Sequence, residues 1–216
     1  FFNGELSSEA KRVKADYWDV WSGMFRDNFF KPMEEWCKAR NMEYMVHLNH
    51  EELMLNLSRG EDLIRNEGSF FRDMRFIGVP GIDNLSQIKP GVVADFPKLA
   101  SSAAHLFGRP LIWTEQGGAL GQEGIFVTDY QYVRGINYMN IRGLNASPSS
   151  EPSSLNNPDT IGWHVRRAIN MLAIDRPAAQ VALYHLTDNW LLGDHQTSAV
   201  TFSLYKILLA DKLYFD

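Results

Sequence analysis

Short apolar runs that each end in polar side chains, alternating with amphipathic segments of helical length, predict an α/β fold. The runs end at His47 to Glu52, at Asp83, at Glu115 and at Asn137. Several strands that deliver polar groups to one edge are how a (β/α)8 barrel assembles a site. A doubly wound sheet usually carries a glycine-rich phosphate turn, and the chain has neither G-x-G-x-x-G nor G-K-S/T. The sequence therefore predicts the C-terminal part of a (β/α)8 TIM-type barrel over residues 1–175 and the start of a second α/β domain over residues 176–216. About four strands do not close a barrel of eight. The others are expected upstream of Phe1, so the partners include the remaining domains of the same longer chain.

The bulk properties exclude several classes. A chain of 216 residues that is 45% hydrophobic can build a core. Its net charge of -5 argues against a nucleic-acid partner held by a basic surface. No apolar run has the length of a membrane span. The single cysteine, Cys37, leaves no intrachain disulfide.

The elements follow in order. Ser7 and Ser8 ahead of Glu9 mark a helix start. The helical pattern runs to about Arg40, with Tyr17, Val20, Trp21 and Met24, then Phe29, Met33, Trp36 and Cys37, as its apolar stripe. That stripe reads as core packing, and Pro32 as a kink or a second helix start. Met42 to Leu48 reads as a strand, residues 60–72 as a loop and short helix, and Met74 to Val79 as a strand before a Pro80-Gly81 turn. Phe96 to Phe107 reads as a helix whose small residues allow close packing on a sheet, and Leu111 to Trp113 as the next strand. A glycine-rich loop (117–124), a helix over Thr128 to Arg134 capped by its threonine, and a strand over Gly135 to Asn140 complete the pattern. After a Ser/Pro/Asn-rich loop (147–159) come a helix from Trp163 to Ile174, a strand from Gln180 to Leu186 and a helix from about Ala199 to Ala210.

Candidate chemistry collects at the strand ends. Glu115 reads as a catalytic carboxylate at a strand mouth, or as a solvated loop acid. Glycosidic hydrolysis needs two carboxyl groups, one to protonate the leaving oxygen and one to activate water or attack the sugar. Glu52 or Glu51 supplies the second candidate. His47, Asn49, His50, Asp83, Gln116 and Asn137 offer mixed donors and acceptors suited to sugar hydroxyls, with loop capping as the plainer role. His47, His50 and Glu51 also suggest a metal-dependent hydrolase, although the spacing does not match the helical zinc motif. A carbohydrate-binding barrel without catalysis is the remaining alternative.

Asp16-Tyr17, Asn28-Phe29, Glu35-Trp36-Cys37, the strand ending in His47, Pro80-Gly81-Ile82-Asp83, Leu99-Ala100-Ser101-Ser102-Ala103, Gly108-Arg109-Pro110, Thr114-Glu115 and Arg134-Gly135-Ile136-Asn137 succeed each other in a familiar order. In that order they resemble the catalytic region of the large multidomain α-L-rhamnosidase-like glycoside hydrolases. The segment from Arg176-Pro177 to Tyr214-Phe215-Asp216 is similar to the accessory α/β domain that follows the barrel there. The resemblance implies a (β/α)8 barrel, an inverting and calcium-assisted mechanism, and a rhamnose-like sugar on plant-type polysaccharide as substrate. It implies Glu115 as one of the catalytic pair, His47 as a substrate contact and Asp83 as a nearby acid. An extracellular or periplasmic location follows from that substrate class. Where the family has a loop containing tryptophan and proline after the early strand, this chain has His50-Glu51-Glu52-Leu53.

Overall fold

Four short strands lie side by side in one parallel sheet: β1 (Met45–Val46), β2 (Val79–Asn84), β3 (Trp113–Gln116) and β4 (Tyr138–Ile141), in the order β1-β2-β3-β4. Helices connect them, so the fold is mixed α/β. The computed structural model describes residues 7–49, 51, 68–84, 88–90, 96–117, 121–142, 158–172, 178–187, 189, 192 and 195–216. Its helices are α1 (Ser8–Phe25), α2 (Lys31–Lys38), α3 (Phe70–Met74), α4 (Phe96–Leu106), α5 (Gly121–Tyr132), α6 (Pro158–Leu172) and α7 (His195–Ala210). The residues group into two compact units, one of Met45–His47 with Val79–Ala178 and one of Phe1–Tyr44, Leu48–Gly78 and Ala179–Asp216.

The sheet unit has a strict register. Val79 pairs with Met45, Gly81 with Trp113, and Asp83 with Glu115, which in turn pairs with Asn140. Side chains alternate between faces along a strand, so Gly81, Asp83, Trp113, Glu115, Tyr138 and Asn140 share one face. Ile82, Thr114 and Gln116 share the other, and each is fully buried. α4 packs against β2, and its Ala100, Ser101, Ala103 and Ala104 are buried without exception. Small side chains bring this helix close to its sheet, as the sequence predicts. α5 ends in a reversal at Gly135, where φ is 101°. Ile136 N–H there donates to the Gln131 carbonyl at 3.2 Å, which turns the chain back into β4.

Several element boundaries differ from the sequence reading. Met74 ends α3, and β2 starts only at Val79. Of the strand expected over residues 180–186, the described residues show one bridge, at Val181. The expected Pro80-Gly81 turn is part of β2. Pro80 is only the second strand residue, and Gly81 is there because the Trp113 indole lies across it: a Cβ would sit 1.9 Å from Trp113 Nε1. β3 runs over Trp113–Gln116 rather than ending at Trp113, so Glu115 is inside the ladder. α5 begins at Gly121, within the expected glycine loop, and Thr128 is buried mid-helix instead of capping. Glycine content is a weak signal that packing overrides.

In the other unit, Ser7 Oγ caps α1 by accepting from Ala10 N–H at 3.2 Å. α1 passes into α2 through a π-helical turn over Arg26–Phe30. Pro32 has no N–H for the Asn28 carbonyl four residues back, and the wider turn stands just before it. The apolar stripe expected in the core is mostly on the surface: Tyr17, Val20, Met24, Phe29, Met33 and Trp36 are exposed, while Lys14, Trp18, Ser22, Phe30, Glu34 and Cys37 are buried. Near the C-terminus, Val181 and Phe215 form a parallel bridge, and Tyr205 packs edge-on to Phe215 at 5.2 Å. The loop over 147–159 lies outside the described residues up to Asn157.

Candidate functional site

In a parallel sheet all C-terminal strand ends lie along one edge. β2 brings Asp83 to that edge and β3 brings Glu115, as directly paired residues on the same face. His47 directly follows β1, and Arg142 directly follows β4. The backbone carries the ladder past the strand ends. Arg142 N–H donates to the Gln116 carbonyl at 2.8 Å, and Gly117 N–H to the Asn84 carbonyl at 2.8 Å. Arg142 has the same parity as Tyr138 and Asn140, so its side chain takes the face of Glu115.

The Glu115 carboxylate is held at both oxygens. His47 Nε2 lies 3.0 Å from Oε2. A carboxylate only accepts, so Nε2 carries the proton of that bond. Arg142 Nε–H donates to Oε1 at 2.8 Å, and Arg142 Nη2 lies 3.8 Å from Asp83 Oδ1. The Glu115 side chain is 19% exposed and that of Asp83 17%, against 48% for Arg142. Both acids are thus partly buried, and the guanidinium that pairs with them is the more exposed group. Trp113, one pleat deeper on the same face, forms the floor, with its ring 5.6 Å from that of His47. One ligand atom from each of His47, Asp83 and Glu115 lies within 4.8 Å of the others, a set that could hold a metal ion.

The other sequence candidates are placed differently. Gln116 is fully buried on the opposite face of β3, where its Oε1 accepts from Gln131 Nε2 at 2.8 Å. It ties β3 to α5 rather than facing the strand-end edge. Asn137 precedes β4 and lies at the N-terminal end of the sheet. Its Oδ1 accepts from Ile112 N–H and its Nδ2 donates to the Pro110 carbonyl, both at 2.8 Å. It straps the start of β3 to the start of β4, because β4 begins at Tyr138, later than the sequence suggests. Asn49 is exposed and Glu51 fully buried, both in the other unit. His50 and Glu52 lie outside the described residues. Sequence reasoning missed Arg142. Moving the fourth strand to 138–141 reveals it, since residues 140 and 142 then share the face of Glu115.

No protein-family model matches the sequence, and no curated protein or solved structure matches it. No helix among the described residues is long and apolar enough to cross a membrane. Calcium is bound by six to eight oxygen ligands. Among the described residues the cluster offers two carboxylates and an imidazole nitrogen, with a guanidinium already on Glu115. That donor set does not fit calcium. In type it is closer to the nitrogen and oxygen sets of zinc-like ions.

Proposed function

We propose that this chain carries the catalytic edge of a glycoside hydrolase that removes a terminal, rhamnose-like sugar from plant-type polysaccharide or a glycoconjugate. The observation that carries the reading is the Glu115 carboxylate, fixed through both oxygens by His47 and Arg142 at the C-terminal edge of parallel strands. A carboxylate with a set direction and partial exposure is what attack on an anomeric carbon or activation of a water requires. The partly exposed His47 ring, backed by the buried Trp113 indole, supplies a ring surface for a sugar face, and Asp83 an acceptor for its hydroxyls.

The strand order supports a (β/α)8 barrel as the architecture. Right-handed crossovers that always add the next strand on the same side keep their helices on one face of the sheet. A doubly wound sheet reverses that direction at a switch point, and β1-β2-β3-β4 has no reversal. The face without helices becomes the barrel interior, and the remaining strands belong to further parts of the same chain. An extracellular or periplasmic setting goes with the polysaccharide substrate.

The spacing of the two acids argues against Asp83 as the inverting partner of Glu115. Their nearest ligand atoms lie within 4.8 Å, whereas inversion leaves about 6.5–9.5 Å between the carboxyl groups for a water. Under an inverting mechanism the partner acid is a residue other than Asp83; Glu52, the sequence candidate, lies outside the described residues. The test is Glu115→Gln in the full-length protein, assayed on an aryl α-L-rhamnoside. We expect turnover to fall at least ~100-fold with the fold intact, as for loss of an acid/base group or nucleophile. Turnover within a few-fold of wild type removes Glu115 from the reaction. A second reading, a metal-dependent hydrolase, draws on the donor atoms of His47, Asp83 and Glu115, and Arg142 stands against it.

A further inference from the structure

The carboxylates of Asp83 and Glu115 face each other on paired strands, and their mutual repulsion needs a positive charge nearby. In many sites a divalent ion supplies it. Here a side chain is already in that position. Arg142 Nε is 2.8 Å from Glu115 and Nη2 is 3.8 Å from Asp83, so one guanidinium spans both acids. Its backbone is fixed by the 2.8 Å bond from Arg142 N–H to the Gln116 carbonyl, which sets the reach of the side chain. The guanidinium is permanently charged and planar, with donors to spare, and it cannot be deprotonated to make way for an ion.

We propose that Arg142 is the resident counter-cation of the Asp83–Glu115 pair, taking the place a metal ion would take and making this cluster independent of calcium and of other divalent ions. The inference rests on the charges alone and does not require the hydrolase reading. It also gives Arg142 a positioning role, since the same guanidinium sets the direction of Glu115.

The experiment is calorimetric titration of calcium chloride and of zinc chloride into the chelator-treated protein and its variants, so its outcome is separate from any activity. Wild type is expected to bind neither ion in a way that Asp83→Asn weakens. Arg142→Met removes the charge and keeps the apolar stem. It is expected to bind zinc through His47, Asp83 and Glu115 at least ~10-fold more tightly than wild type, and Arg142→Met/Asp83→Asn to lose that gain. Arg142→Lys keeps a point charge and is expected to exclude zinc as wild type does. Calcium or zinc binding by wild type that Asp83→Asn weakens overturns the proposal. So does an Arg142→Met variant that folds by circular dichroism and gains nothing. If Arg142→Met does not fold, the wild-type and Arg142→Lys titrations decide, and tight zinc binding by Arg142→Lys at Asp83 counts against the proposal.

Discussion

Replacing Gly81 by alanine tests the floor of the site directly. Gly81 is extended within β2, so alanine fits its backbone, and the lower entropy of the unfolded chain would by itself favour the variant by about 0.4–1 kcal/mol. Packing opposes this. The new Cβ would lie 1.9 Å from Trp113 Nε1, 2.3 Å from Cδ1 and 2.5 Å from Cε2. Ordinary contact begins near 3.4 Å, so the indole must retreat by about 1.5 Å, and as a rigid double ring it cannot bend at one end. Overpacking a core costs up to about 3 kcal/mol. The steric cost exceeds the entropic gain, leaving Gly81→Ala destabilised by about 2 kcal/mol, or roughly 4–8 °C in Tm for a chain of this size. Chemical unfolding followed by near-ultraviolet circular dichroism reads both the stability and the Trp113 environment. The coupling is checked in a Trp113→Ala background, where Gly81→Ala becomes neutral or stabilising. An equal cost in both backgrounds would refute the argument, because the penalty would then not come from the indole.

The buried amide pair gives a second test. Gln131→Met leaves the Gln116 carbonyl oxygen without its 2.8 Å donor in a fully buried position, at a cost of about 1–3 kcal/mol in urea unfolding. The double variant with Leu at 116 and at 131 recovers most of that loss. Asn137→Ala removes both straps at the sheet's N-terminal end and lowers stability by about 1–2 kcal/mol; a rise in KM without loss of stability would instead make Asn137 a substrate contact. Burial lowers the His185 pKa from 6.5 to about 4. The unfolded chain therefore takes up the proton first. Stability is complete above pH 6.5 and declines as pH falls from 6.5 to about 4, by up to roughly 3 kcal/mol. Urea midpoints across that range should flatten in His185→Phe, and an unchanged slope assigns the acid sensitivity elsewhere.

The parts of the site legible in the sequence are those that depend only on an apolar run stopping at polar residues. His47, Asp83 and Glu115 are such cases, and the sheet brings them to one edge. What the sequence hides is register. Glu115 and Gln116 are adjacent and both polar, but strand alternation sends one to the open edge and the other under α5, and no local signal says which. The apolar pattern starts at Gly135, which by sequence alone places Asn137 near a strand end. The Schellman-like reversal there uses up Gly135 and Ile136 before pairing begins, so β4 starts later and its far end carries Asn140 and Arg142. Glycine misled twice, in opposite directions. Gly81 reads as a turn and is a strand residue under an indole, while Gly121 and Gly124 read as a loop and lie buried in a helix.

The long N-terminal helix shows why an apolar stripe need not be the buried one. The line of buried positions on α1 is Lys14, Trp18 and Ser22, polar at two of three places. Ser22 is small, and its Oγ accepts from Ser69 N–H at 3.1 Å. A Cβ on Gly68 would stand 2.8 Å from the same oxygen. Close backbone approach at residues 68–69 therefore selects the face with the small polar residue, and Arg72 pairs with Asp19 beside it. The apolar line of Tyr17, Val20 and Met24 is left outward, with Met24 60% exposed. Two sets of substitutions separate these faces. Val20→Thr and Met24→Gln should each change stability by less than about 0.5 kcal/mol, as exposed positions do. Trp18→Ala should cost about 3–5 kcal/mol, since it empties a packed site. If Met24→Gln proves as damaging as Trp18→Ala in urea unfolding, the helix packs through its apolar stripe and the Ser22–Ser69 contact does not set its orientation.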